Sequence, residues 1–207
     1  MGEGLYRYFH IPEAKTRNIS HLSAGLVSLP YPWLFTSHWW VLLLAVQSSV
    51  VLVLTRSAGW FPSHHKSTGK SWGSPIFFAS LYLCYLAYTL TQDLLFFLLP
   101  VLILTFSDML ASLAGRNFGK TPPAPWNKWM ANGKTIQGSA VFLGSALCIS
   151  CGVFYLSGGW TVEAALFASA GIAVLTTFTE ALTSGEFDNL SIPAITLITM
   201  FLYSMIS

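Results

Sequence analysis

LLFFLLPVLILTFSDMLASLAGRNFGK, residues 94–120, decides how this chain is read. Its apolar run from Leu94 to Ala114 has the length, about 20 residues, that a helix needs to cross the hydrocarbon core of a bilayer. Asp108 interrupts that run near its end, and Arg116 and Lys120 follow in a glycine-containing turn. An acid inside a span is costly enough to be a functional hypothesis by default. Asp108 and Arg116 are about two helical turns apart, so the acid is expected at the membrane surface beneath a basic loop.

Outward from this stretch the same composition repeats. The 207 residues are 54% hydrophobic and 9% charged, against about 25% charged in an ordinary soluble domain, so the chain reads as an integral membrane protein. Apolar stretches at 22–35, 39–54, 75–90, 94–114, 138–156, 162–182 and 191–206 predict an all-α fold, a polytopic membrane helix bundle of about seven transmembrane helices. No linker-like tract divides residues 1–207, so a single integral membrane domain is expected. The stretch 22–35 is short and contains Pro30 and Pro32, which allows a broken or re-entrant helix. The first twenty residues have no continuous apolar core and therefore no visible cleaved signal peptide.

Parity orders the charges. If 22–35 crosses, Arg7, Lys15, Arg17, Arg56, Lys66, Lys70, Arg116, Lys120, Lys128 and Lys134 share one face, while the other carries only His38, Asp93 and Glu163 near its turns. Positive residues favour the cytoplasmic side, which predicts a cytoplasmic amino terminus. A net charge of +2 is too small to argue for nucleic acid, and none is expected as a partner. Its placement favours phosphates or anionic headgroups on one side. Cys148 and Cys151 lie mid-span without a second pair, and their CxxC reads as packing.

Two polar clusters border this face. The first joins Asp108 to Arg116, Lys120, Lys134, Thr135, Gly138 and Ser139. Its cations offer charge-assisted donors, and its glycines allow backbone N–H groups to approach an anion. Gly138 and Ser139 open a helix whose positive end points to the same place. A soluble P-loop is excluded, because the GxxxxGK[ST] spacing fails and no strand precedes it. The second cluster, TEALTSGEFDNLSIP, carries Glu180, Asp188, Asn189 and Pro193. Asp108, Glu180, Asp188 and Asn189 offer the hard oxygen donors that suit magnesium completed by substrate phosphates, and no His/Cys set suggests zinc. Lys66, Lys128, His64 and His65 read as topogenic or solvated residues, and Arg17, His21 and Lys70 alone read as helix-end anchors.

Taken together these elements resemble the polyprenol kinase family, the CTP-linked membrane lipid kinases that include phytol kinase, dolichol kinase and the CTP-dependent diacylglycerol kinase. The family's R-K-x-x-H is similar to Arg17–His21 and its K-S-Y-G to Lys70–Gly73. Its G-D-x-x-A-x-x-x-G-R-x-x-G-K is similar to Ser107–Lys120, its K-T-x-E-G-S to Lys134–Ser139, and its E-x7-D-N-x3-P to Glu180–Pro193. Asn18, Ser107 and Gln137 depart from those patterns, and Gln137 removes a negative charge beside Lys134 and Thr135.

The resemblance implies CTP and Mg2+, a membrane lipid as acceptor, and phosphoryl transfer to an isoprenoid alcohol or diacylglycerol. Asp108, Glu180 and Asp188 would be catalytic, Asp108, Asp188 and Asn189 metal-binding, and Arg116, Lys120, Lys134, Thr135, Gly138 and Ser139 nucleotide-binding, with Arg17, His21 and Lys70 accessory. Phosphatidate cytidylyltransferase shares the KT-x-x-G element and a preceding acid. Its later K-D-x-G and P-G-H-G-G-x-x-D-R stretches are missing, which ranks it second. A small transporter or scaffold is the alternative of another class. The residues leave oligomeric state open, a homo-oligomer included. The compact length favours a bacterial inner membrane with the site on its cytoplasmic side.

Overall fold

A computed structural model describes residues 13–57, 73–120, 122, 128–131, 133–184 and 186–205, with the side chains of 13–17 and 56–57 left aside. Every regular element among the described residues is helical. The helices are α1 (Glu13–Ser28), α2 (Tyr31–Leu34), α3 (His38–Ser57), α4 (Gly73–Thr91), α5 (Leu95–Leu102), a π-helical turn (Ile103–Ser107), α6 (Asp108–Phe118), α7 (Ile136–Ser157), α8 (Val162–Leu182) and α9 (Asp188–Ser204). Five apolar helical segments are long enough to cross a bilayer: α3, α4, the α5–α6 rod, α7 and α8. They make this a membrane protein.

Of the seven expected crossings, five are matched among the described residues by helices long and apolar enough to span. α9 has 17 residues, yet it runs beside α8 from Asp188 to Tyr203, whose hydroxyl reaches Ala164 O at 3.4 Å. The stretch 22–35 is broken, as its prolines allowed. α1 starts in the polar residues before it and ends at Ser28, because Pro30 restricts Leu29 and cannot continue the hydrogen-bond ladder. The following turn stops where Phe35 O accepts from the Tyr85 hydroxyl at 2.5 Å. Tyr85 lies twelve residues into α4, about 18 Å from its start at 1.5 Å per residue.

The α5–α6 rod is the axis of the bundle and the most buried of the five apolar segments, with 56% of its window inside the protein. Phe97, Leu99, Ile103 and Leu104 on it are inaccessible, as are Phe142 and Ala146 of α7, Ile172 of α8 and Ile192 of α9. Lipid is as apolar as these side chains, so close packing rather than water exclusion holds the helices together, and small residues favour it. α8 follows that rule: Ala165, Ala168, Ser169, Ala173 and Thr176 recur along one buried face. That stripe ends in Glu180. The buried face of α9 begins at Asp188 and Asn189, and that of α4 begins at Gly73, so the stripes deliver their polar termini to one end of the bundle.

The opposite end is closed by local chemistry. Gly158 at φ 74° terminates α7, Thr161 caps α8 through Ala164 N at 3.3 Å, and Asp93 Oδ1 accepts from Leu95 N at 2.9 Å. Trp160 packs between Phe154 and Tyr203, with centroids at 4.4 and 5.4 Å. Among the described residues Asp93 and Glu163 mark this end, while Arg116, Lys120, Lys128 and Lys134 lie at the other, as the charge pattern predicts.

α1 leans on the rod through Gly25. A Cβ at that position would overlap the Thr105 side chain inside the π-helical turn. Gly25→Val is therefore expected to destabilise the protein by about 1–3 kcal/mol, through overpacking against a buried neighbour. Thermal unfolding in detergent measures it, and a midpoint equal to wild type refutes the contact.

Candidate active site

The polar ends of α4, α6, α8 and α9, the start of α7 and the side of α1 enclose a cavity of about 490 Å³. Its centre is Lys134. The residue precedes α7 and is positioned by the backbone: Ala131 N donates to Ala181 O at 2.9 Å, and Lys134 N donates to Ala131 O at 3.0 Å. These bonds pin the connection before α7 onto the end of α8. The Lys134 ammonium then donates to Glu180 Oε1 and to Asp188 Oδ2, each at 2.6 Å.

Both acids are almost inaccessible, Glu180 at 3% and Asp188 at 2% exposed. Their remaining oxygens are also bound: Ser139 Oγ donates to Glu180 Oε2 at 3.0 Å, and the Thr183 hydroxyl donates to Asp188 Oδ1. Burial alone would lower the Lys134 pKa. Glu180, Asp188 and Asp108 outweigh it in that order and hold it above the ordinary lysine value. Lys134 is accordingly charged at neutral pH. Of its three N–H donors two are spent on carboxylates, and one remains for a ligand.

Asp108 is the first residue after the π-helical turn and lines the cavity with Met109, Ala111, Ser112, Gly115 and Arg116. A π-helical turn carries an extra residue relative to an α-helix, and such bulges recur at functional sites. α6 and α7 approach through glycine. A Cβ on Gly138 would sit 3.0 Å from Ala111 O and 3.5 Å from Gly115 Cα. Thr135 caps α7, its Oγ1 accepting from Gly138 N at 3.1 Å. Gly138 and Gly115 thus serve helix contact as well as the cavity wall, where the sequence suggested only approach to an anion.

The predicted residues separate into three groups. Asp108, Arg116, Lys134, Thr135, Gly138, Glu180, Asp188, Asn189 and His21 line the cavity together. Ser139 stands behind Glu180, and Lys120 is exposed and off the lining, its backbone N–H donating to Gln137 Oε1 at 3.3 Å. Gln137 is off the lining as well, so its departure from the family pattern alters a tether between α6 and α7 rather than the cavity wall. Lys70 and the Arg17 side chain lie outside the described residues. His21 packs against Phe77 with centroids at 4.2 Å and ring planes tilted by 59°.

The structure adds residues that sequence reasoning did not select. Asn18 Nδ2 reaches Ser112 Oγ at 3.4 Å, tying α1 to α6 across the cavity. Gly73 O accepts from Nδ2 of the predicted Asn189 at 2.8 Å, tying α4 to α9. Glu186, Ser20 and Ser74 line the wall. Glu186 stands two residues before Asp188, a signal available in the sequence. Ala24, Leu52, Phe77 and Phe78 supply an apolar side.

Asp108, Glu180, Glu186 and Asp188 outnumber Lys134 and Arg116 on the lining, so its formal charge is negative. A polyphosphate would meet repulsion there unless a cation came with it. Among the described residues no group of three or more His, Cys, Asp and Glu gathers as a metal cage. Magnesium does not need one, since one or two carboxylates and substrate phosphates complete its shell. Asp108 fits that role. Asp188 is held by Lys134 and Thr183, and Asn189 retains its Oδ1 after donating to Gly73.

No family model, no curated protein and no solved structure matches this chain.

Proposed function

We propose that the protein is a CTP-dependent membrane lipid kinase, transferring a phosphoryl group to the hydroxyl of an isoprenoid alcohol or of diacylglycerol. The observation that carries this reading is the Lys134 bridge to Glu180 and Asp188 in one cavity with Asp108 and Arg116, at the end of an apolar bundle. Phosphoryl transfer needs positioning and charge neutralisation above all. CTP as donor comes from the family resemblance.

In this proposal Arg116 and the third Lys134 N–H hold phosphate oxygens. The acceptor enters along Phe77 and Phe78, which keeps its tail in apolar surroundings and its hydroxyl at the cavity. The hydroxyl oxygen forms a bond to the terminal phosphorus as the bond from that phosphorus to the bridging oxygen breaks. CDP leaves with the electron pair, and the hydroxyl proton passes to the Asp108 carboxylate or to a phosphate oxygen. Asp108, with Asn189 Oδ1 or a released Asp188, would hold magnesium, which would supply neutralisation of the phosphate charge. The concentration of cations at this end supports a cytoplasmic site, and the bacterial inner membrane is the expected location.

Purified protein given CTP labelled on its terminal phosphate and a panel of lipid alcohols tests the reading. Label on an alcohol, with CDP released, is the expected result. A cytidine-containing lipid with pyrophosphate released would instead establish the cytidylyltransferase reading. Neither product, together with Asp108→Ala behaving as wild type in cells, would move the protein to transport or scaffolding.

A further inference from the structure

A seam between α3 and α4 leads away from the polar cavity. At its start Leu52 of α3 and Ser74, Phe77 and Phe78 of α4 line the cavity of about 490 Å³. Further along, Phe78 and Leu81 of α4 face Ser48, Ala45 and Val41 of α3 around a second cavity of about 40 Å³. Phe78 belongs to the wall of both. Leu52, Ser48, Ala45 and Val41 lie on the one face of α3 that the fold encloses, with Ala45 and Val41 buried. The rest of α3 is open, since only 11% of its window is inside the protein, so a chain in the bilayer reaches the seam from its flank.

The chemistry changes with distance from the site. The first cavity holds the carboxylates, Lys134 and Arg116, whereas the second is walled by aliphatic and aromatic side chains with only the hydroxyls of Ser48 and Tyr31 among them. Ser48 can turn its hydroxyl onto the Leu44 carbonyl, as Ser49 does onto Ala45 O at 2.7 Å, and so present an apolar surface. Tyr31 stands at the far end, one turn before Phe35, whose carbonyl is bound by Tyr85. From Leu52 to Val41 the seam follows eleven residues of α3, about 16 Å at 1.5 Å per residue. That is about half the ~30 Å hydrocarbon core, the depth of one leaflet. A charged pocket for the head and one apolar lane of this length match a lipid with a single chain, and the small side chains of Ala45 and Ser48 opposite Phe78 give the lane its width.

We propose that this seam holds the hydrocarbon tail of the acceptor, that the acceptor carries one tail reaching through one leaflet, and that Ala45, Ser48 and Phe78 set the length accepted. The position of the head group rests on the lipid-kinase reading, and that of the tail rests on the seam. A larger side chain at Ala45 or Ser48 fills the second cavity and stops the tail short of Tyr31. Removing the Phe78 ring joins the two cavities and admits a longer tail. Diacylglycerol would have to leave one of its two chains outside the seam.

Full-length protein in lipid nanodiscs, given CTP and isoprenoid alcohols of increasing length, tests it, together with an alcohol that carries a diazirine at the end of its tail. Ser48→Phe and Ala45→Leu are expected to lower the kcat/KM ratio of the longest to the shortest alcohol by about tenfold, the worth of a methylene or two in an apolar pocket. Phe78→Ala is expected to raise that ratio. Loss of folding would not move the two in opposite directions, and Val50→Phe, on the outward face of α3, should leave the ratio at its wild-type value. In wild-type protein, light is expected to attach the diazirine to α3 between Val41 and Ser48 or to α4 between Phe78 and Leu81. Absence of label from the seam, or a ratio that no seam variant moves, overturns the tail site. Faster transfer to diacylglycerol than to every single-tail alcohol overturns the single tail. Label in the seam with no phosphate transferred to any alcohol would uphold the tail site and remove the kinase reading instead.

Discussion

Lys134→Met is expected to abolish the proposed phosphoryl transfer, by more than about 10³-fold, and to lower stability by about 3–5 kcal/mol. The two effects have different causes and can be separated. Stability falls because Glu180 and Asp188 are almost fully buried and would lose the ammonium that both of them hold. Removing one partner of a buried ion pair is far more damaging than replacing the whole group. Adding Glu180→Gln and Asp188→Asn to Lys134→Met should therefore recover most of the unfolding temperature while leaving activity at background. Lys134→Arg is expected to keep part of the stability and little activity, because a planar guanidinium cannot reproduce the point charge between two carboxylates. A Lys134→Met protein with wild-type turnover would remove the site.

The pH dependence follows from the same group. The folded state raises the Lys134 pKa, so its ion pairs contribute fully below the ordinary lysine value of 10.5 and are lost only as pH rises through the higher folded value. Loss of activity between pH 7 and 9 would have to come from other groups. Unfolding temperatures followed across that interval are expected to show no change attributable to Lys134.

Asp108→Asn is expected to lower turnover by about 10²–10⁴-fold, the range for removal of a positioned proton acceptor, in a protein that still folds. Asparagine preserves shape and one oxygen, so packing beside Ala111 and Gly115 is retained. Kinetics then distinguish the two roles open to this carboxylate. If Asp108 accepts the hydroxyl proton, turnover falls and the magnesium requirement stays the same. If it holds magnesium, raising the magnesium concentration recovers part of the rate. A variant within threefold of wild type under saturating CTP and lipid acceptor would remove Asp108 from the chemistry.

Much of the architecture was legible because a bilayer leaves few options. Each apolar stretch from Trp39 onward became a helix, and the cations of the described residues gathered at one end. The break in residues 22–35 was legible in Pro30 and Pro32, whereas only packing shows that Tyr85 catches Phe35 part-way along α4. The assignment of Gly115 and Gly138 shifted for a similar reason. A glycine in sequence signals close approach without saying what approaches, and here each helix backbone approaches the other.

Residue types and their order along the chain determined that this protein is helical, membrane-embedded and polar at one end, because hydropathy and charge act on each segment separately. Only the tertiary structure decided which charges meet. Lys134 found Glu180 and Asp188, which lie 46 and 54 positions away, because the Ala131–Ala181 backbone bond and the small-residue face of α8 bring those segments together. Lys120, nearer to Asp108 in sequence, was left outside. Ion pairing depends on distances of a few ångströms, and those are set by how helices pack rather than by the order of residues along any one of them.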